Sequence, residues 1–271
     1  MNHEVRYQML RPDEIIKLRK ACPVAYIPVG TLEWHGPHNP VGADTLQAEG
    51  IAIRCAQMGG GVVFPPLYYG ENRLDSLMES MAGDKEAIAE AMDLDSDNFK
   101  PDRMPFSPME QDLNYHKLLI HMLAQADTLG FKVGVLVAGH YPLIDHTRAA
   151  VYQYHQRMYN GYHQMLAWCF VDYQLVSHLY DGAGDHAAKW ETSHMMALHP
   201  ETVDLSLLPE KGEPLTGIGG KYLPHDANAE YGQETIEKAA EIAVKEVQHR
   251  LDFPQLYKGH GTALQEGLWR R

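Results

Sequence analysis

Glu33, His35, His38 and Asp44 fall within one twelve-residue stretch that begins Glu33-Trp34-His35-Gly36-Pro37-His38 and follows the apolar run 24–29. Carboxylates and imidazoles are the side chains that ligate divalent metals and move protons near neutral pH. In an extended segment, residues two apart share a side, so Glu33 and His35 point together, and the Gly36-Pro37 turn can return Asp44 toward them. His140 follows a second apolar run, Val135-Leu136-Val137-Ala138, and Gly139. Open α/β sheets bind ligands outside the carboxyl ends of their strands. Two strand ends that deliver such residues to one edge read as the wall of a metal site. His186 and Glu191 offer a further pair, with Glu191 opening a helical pattern that continues through Met195, Met196 and Leu198.

Positioning these groups requires a sheet, and the chain is patterned for one. Short β-rich runs at 24–29, 62–67, 131–138 and 165–173 alternate with helical patterns at 46–58, 108–129 and 143–158. Strand then helix, repeated, predicts an α/β fold: a three-layer αβα arrangement with a mostly parallel central sheet. The helix from 108 has a marked start, because Ser107 can cap it, Pro108 suits its first position and Glu110 completes a capping box. A last helix over about 230–251 repeats Ile236, Ala239, Ala240, Ala243 and Val247 on a helical period. The expectation is a single domain over 1–271 with an acidic insertion at about 71–112. That insertion carries twelve Asp or Glu against four Lys or Arg, so −8 of the total charge of −13 lies there. Within it, Asp93, Asp95, Asp97 and Asn98 resemble the start of a calcium loop, but Asn98 replaces the turn glycine and Met104 the closing glutamate, which favours a solvated acidic turn.

The charge of −13 argues against nucleic acid and against an anionic membrane surface as partners. A small-molecule substrate fits better. No apolar run approaches the ~18 residues of a membrane span, and the first residues lack the pattern of a signal peptide. Cys22, Cys55 and Cys169 are odd in number and widely spaced, so no disulfide framework is expected, and a reducing cytoplasm is the expected location.

The stretch PVGTLEWHGPHNPVGADT at 28–45, Gly139-His140 after a buried strand, Glu191-Thr192-Ser193 with His186 upstream, and GIGGKYLPHDANAEYG at 217–232 together resemble the creatininase family of metal-dependent amidohydrolases. The resemblance implies two divalent ions per subunit, zinc or manganese with iron also suited, in a layered fold assembled as a homohexamer. By position Glu33, His35, Asp44 and His140 match the family's ligands, Asp44 matching the carboxylate that bridges both ions. His186 matches a histidine that donates a proton or contacts substrate near the leaving group. The implied chemistry is attack by a metal-bound hydroxide on the carbonyl of a small polar cyclic substrate, opening the ring at a C–N bond. The sequence departs from creatininases proper after His140, where they carry a glutamate ligand two residues on and this chain has Pro142. Glu191 is the expected replacement, as ligand or base. Creatinine becomes a poor candidate substrate. One alternative is C–C ring opening of an oxidised inositol, of the 3-dehydro-scyllo-inosose hydrolase type; another is a noncatalytic metal- or ligand-binding relative.

Each of these residues also has a plainer role open to it. Asp44 could cap a helix starting at Thr45, with Gln47 in its third position. Glu191 could be a helix-start carboxylate favoured by the dipole. His38 is left out of the ligand set. Trp34, Trp190 and Tyr141 either line a pocket or pack, and His146, His155, His163 and His194 are read as surface or core residues.

Overall fold

The computed structural model describes residues 4–70, 83–99, 106–157 and 165–257. In chain order these form α1 (Pro12–Ala21), β1 (Val24–Val29), α2 (Ala43–Gly59), β2 (Val62–Val63), α3 (Lys85–Ala91) and α4 (Pro108–Thr128). There follow β3 (Val133–Ala138), α5 (Leu143–Arg157), β4 (Leu166–Val171), α6 (Asp172–Val176), α7 (Lys189–Leu198) and α8 (Ala229–Asp252). The strands line up as β2-β1-β3-β4, every pairing parallel.

Strand residues alternate between two apolar layers, as the two-residue period of a pleated strand requires. Ala25, Ile27 and Val29 of β1, with Leu136 and Ala138 of β3, meet Leu119 and Leu123 of α4 and Ala150 and Tyr154 of α5. Val24 and Tyr26, with Val135, Val137 and Phe170, meet Ile51 and Cys55 of α2 and Ile236 and Val247 of α8. Both sheet faces are therefore covered by helices, and the expected αβα layering is observed. Continuous apolar strands are what a parallel sheet buried on both sides needs.

The capping box at the start of α4 is present, with Ser107 accepting from the Glu110 amide and Glu110 accepting from the Ser107 amide. The strand expected over 62–67 is shorter: only Val62–Val63 belongs to the ladder. Pro65 and Pro66 have no amide hydrogen and interrupt it. The Leu67 amide rejoins β1 by donating to the Pro28 carbonyl at 3.0 Å. Part of the acidic segment lies outside the described residues. In the part within them, Ile88 of α3 is buried against Trp34, and the Asp95 carboxylate accepts the Asp97 amide within its own turn. Among the described residues no helix is long and apolar enough to cross a membrane.

Candidate metal centre

The register of β1 and β3 ends with Val29 beside Ala138, so the segments leaving both strands emerge side by side. After β1 the chain loops outward and closes when the Glu33 amide donates to the Val41 carbonyl at 2.9 Å. That closure returns the chain to start α2, with Asp44 in its first turn. After β3, Gly139 lets this turn come close: a Cβ there would lie 1.8 Å from the Asp44 carbonyl oxygen. His140 follows directly. Glu191 arrives from across the chain, in the first turn of α7.

The side chains converge. His35 Nε2 lies 3.1 Å from Asp44 Oδ1 and 3.4 Å from Glu191 Oε2. His140 Nδ1 lies 3.1 Å from Glu33 Oε2 and 3.2 Å from Asp44 Oδ2. Among the described residues, three groups are suited to holding an ion: Glu33/Asp44/His140 and His35/Asp44/Glu191, which share Asp44, and Glu33/His35/His186. Glu33, His35, Asp44, His140 and Glu191 are all buried.

The donor set fits divalent cations. Glu33, Asp44 and Glu191 would leave the set net negative even with both imidazoles protonated, in a place nearly closed to water, where unpaired charge is costly. His35 Nδ1 faces the Glu33 carbonyl at 3.0 Å and donates to it, which turns Nε2 toward two carboxylates. A proton on Nε2 or an ion in its place would offset their charge; hydrogen bonding of the far ring nitrogen is the usual way a ligating imidazole is oriented. Asp44 Oδ2 meets His140 without hydrogen-bond alignment. Burial disfavours a charged Asp44, yet His35 and His140 outweigh it and hold the carboxyl well below its ordinary range. Burial also penalises a charged His35, and Asp44 and Glu191 outweigh it, so its pKa stands well above 6.5.

His186 stands beside this set. Its Nε2 donates to the Trp34 carbonyl at 2.7 Å, so Nδ1 faces inward, 3.7 Å from Glu33 Oε2. The ring packs against His35 with centroids 4.6 Å apart. Between His186 and Glu191, Ala187 adopts a left-handed φ of 55°. That turn points the Ala187 amide at Glu191 Oε2, 2.7 Å away. Asp185 caps the same helix by accepting the amides of Ala188, Trp190 and Glu191; burial first, then the nearby Glu191, raises its pKa to about 7.

The structure thus gathers Glu33, His35, Asp44, His140, His186 and Glu191 at one edge. Asp44 sits inside α2 rather than before it, so it is not that helix's cap; Gly42 holds the position. His38 is buried and bonds Thr192 Oγ1 at 3.0 Å, and burial lowers its pKa to about 4. It fastens the 33–41 loop to α7. Trp34 and Trp190 are buried and Tyr141 is exposed. Sequence reasoning missed Asp185 and Asp172. Asp172 follows β4 directly and accepts from the Trp190 indole at 3.1 Å, and burial pushes its carboxyl up to about 7. The available signal is a carboxylate directly past the end of a strand, at the same edge as Glu33 and His140.

A parallel sheet that gathers buried carboxylates and imidazoles at its carboxyl edge defines an α/β protein with a cluster that could hold metal ions. The family model for creatininase, described as creatinine amidohydrolase, matches residues 8–86 and 109–247. The chain belongs to the creatininase family. It is 25% identical over 207 residues to the 3-dehydro-scyllo-inosose hydrolase of Thermotoga maritima, a match covering 73% of this chain and 57% of that protein. The chain therefore spans little more than half the length of that relative. A solved creatinine amidohydrolase (creatininase) superposes with a TM-score of 0.66 at 21% identity, covering 93% of this chain and 98% of the other. A manganese creatininase gives 0.63 at 22% identity, covering 93% and 100%. At these identities the structural likeness is one of fold.

Proposed function

We propose that this protein is a metal-dependent hydrolase that opens a small polar cyclic substrate at a carbonyl, of the cyclic amide C–N type, with two divalent ions per subunit. Zinc or manganese is the expected metal, and iron suits the same donors. The observation that carries this reading is Asp44, whose two oxygens face two different imidazoles, His35 and His140, in two ion-holding groups that share it. Bound ions would supply Lewis acidity, polarising a carbonyl and lowering the pKa of water.

The protein's own residues divide the remaining work. Glu33, Asp44 and His140 would hold one ion, and His35, Asp44 and Glu191 the other. Glu191 supplies from α7 the carboxylate that Pro142 cannot. His186 is the proton donor to the leaving atom: its Nε2 is committed to the Trp34 carbonyl, so the proton it moves is carried on Nδ1, which faces the centre. The Trp34 side chain is itself fixed, its indole donating to the Thr216 carbonyl at 3.0 Å.

A second reading, C–C opening of an oxidised inositol, is favoured by the inosose hydrolase relative. An ion that stabilises an oxyanion also stabilises the enolate such cleavage expels. Under either reading the protein is taken as a single domain with an acidic insertion at 71–112, acting in the cytoplasm as a homo-oligomer, a hexamer in the manner of the family. The test is a panel of cyclic amides, lactams and keto-cyclitols given to metal-reconstituted protein, reading ring opening and metal content together. Turnover of an amide supports the first reading and turnover of a keto-cyclitol the second. A chain that takes up no zinc or manganese sinks both and leaves a noncatalytic relative.

A further inference from the structure

The two helices that carry Asp44 and Glu191 are tied together one turn beyond those residues. Gln47 follows Asp44 by three residues in α2, and His194 follows Glu191 by three in α7. His194 Nδ1 meets Gln47 Oε1 at 2.7 Å, across 147 residues of sequence. On its other side, Nε2 meets Thr235 Oγ1 of α8 at 2.7 Å. Asp172 Oδ2, just past β4, is 3.5 Å from Nδ1. Two acceptors facing Nδ1 place the proton there. The ring therefore donates to Gln47, while Nε2 shares the Thr235 hydroxyl with the Tyr231 and Gly232 carbonyls, 2.9 and 3.1 Å from its oxygen. Gln47, His194 and Thr235 are all buried, where a satisfied polar network is rigid and a broken one costly.

The tie has a mechanical reason to exist. Asp44 and Glu191 both approach His35 Nε2, at 3.1 and 3.4 Å, so an ion shared by the three would need the first turns of α2 and α7 held at a set spacing. A hydrogen bond one turn further in holds it. The Glu33/Asp44/His140 group needs no such aid, because its members come from two strand ends in fixed register and from the helix turn seated on Gly139.

We propose that Gln47 and His194 are positioning residues that set the spacing of Asp44 and Glu191, and through it the affinity of the His35/Asp44/Glu191 group for its ion. The inference rests on the two-ion reading of the site. Neither residue belongs to a group, among the described residues, that could hold an ion.

The experiment is titration of metal-stripped full-length protein with zinc, by calorimetry and by metal content after dialysis. It compares wild type with Gln47→Leu, His194→Gln and His194→Asn. Leucine removes the acceptor at similar volume; glutamine's amide reaches toward Thr235, and asparagine's stands where Nδ1 does and restores the donor. Expected are one ion held as in wild type and a second held roughly 10- to 100-fold more weakly in Gln47→Leu and His194→Gln, the range for loss of a partner behind a metal ligand. His194→Asn should lose less than the ~10-fold at the low end of that range, because the donor is restored. If His194→Gln does not fold, Gln47→Leu decides, since Thr192 still fastens α7 to His38. Wild-type constants in Gln47→Leu and the folded His194 variants overturn the inference alone. Wild-type protein that binds fewer than two ions overturns the two-ion reading, and the inference with it.

Discussion

The two halves of the centre are built by different means. Glu33 and His140 leave neighbouring parallel strands whose pairing runs unbroken from Val24 beside Val133 to Val29 beside Ala138. Their separation is inherited from backbone hydrogen bonds. Glu191 has no such inheritance. It rides on a ten-residue helix held by side chains: Asp185 at its start, Thr192 against His38, and His194 against Gln47. One half is fixed by the sheet and the other by a network of buried polar groups, and a network can be loosened one member at a time.

The widest effect should come where the halves meet. Asp44→Asn removes the carboxylate charge common to both groups, so both ions and all metal-dependent turnover should be lost, measured as metal content per chain and ring-opening rate. Retention of one tight ion would show that the halves are not joined through Asp44. Glu191→Gln comes next and should separate them. One ion should stay and the other weaken by more than ~100-fold, beyond the usual penalty for an outer partner. Glu33→Gln should do the converse. If both variants lose both ions, the distinction between the halves fails.

The same contrast accounts for what was legible in the sequence. Glu33, His35 and Asp44 are close in the chain, and the apolar runs before Glu33 and His140 announce strand ends, so period and position sufficed to bring four residues to one edge. Helices on both sheet faces followed from the same alternation. Glu191 could be proposed only through its resemblance to a family, because nothing local tells where a helix distant in sequence will dock. Its supports were less visible still. His194 looks like any histidine in a helix, and Asp172 like any acid at a strand end; only tertiary contact gives them roles. The shortened β2 was written in Pro65-Pro66, which an apolar run from 62 to 67 concealed.

A third prediction concerns the network beneath Glu191. Burial holds Asp172 protonated up to about pH 7, against an ordinary 3.8. A carboxyl whose folded pKa is raised contributes stability that is complete below pH ~4 and is lost as the pH climbs through 7, on the order of 4 kcal/mol for a shift of this size. Asparagine mimics the protonated acid without titrating. Urea unfolding at pH 5 and pH 8 should therefore show Asp172→Asn gaining on wild type at the higher pH. Parallel behaviour of the two proteins would mean that an ionised Asp172 is tolerated, and that the helix-borne half is less tightly closed than its burial indicates.

The smallest effect should come from Ala187. Among the described residues, only Ala187 and Asp93 combine a side chain with a positive φ, and only Ala187 lies in the centre, between His186 and Glu191. A left-handed backbone costs an L-residue roughly 1–2 kcal/mol, while glycine adopts it freely but loses more entropy on folding, by about 0.5–1 kcal/mol. The terms nearly cancel, so Ala187→Gly should move stability by less than about 1 kcal/mol. Ala187→Val should destabilise by more, because a β-branched side chain at positive φ is a true outlier. The amide of residue 187 must still reach Glu191 Oε2, so glycine should weaken only the ion held by Glu191, through lost rigidity, and leave the Glu33/Asp44/His140 ion unchanged. Equal weakening of both ions would place the strain under the whole centre, and the division between a strand-fixed half and a helix-fixed half would not stand.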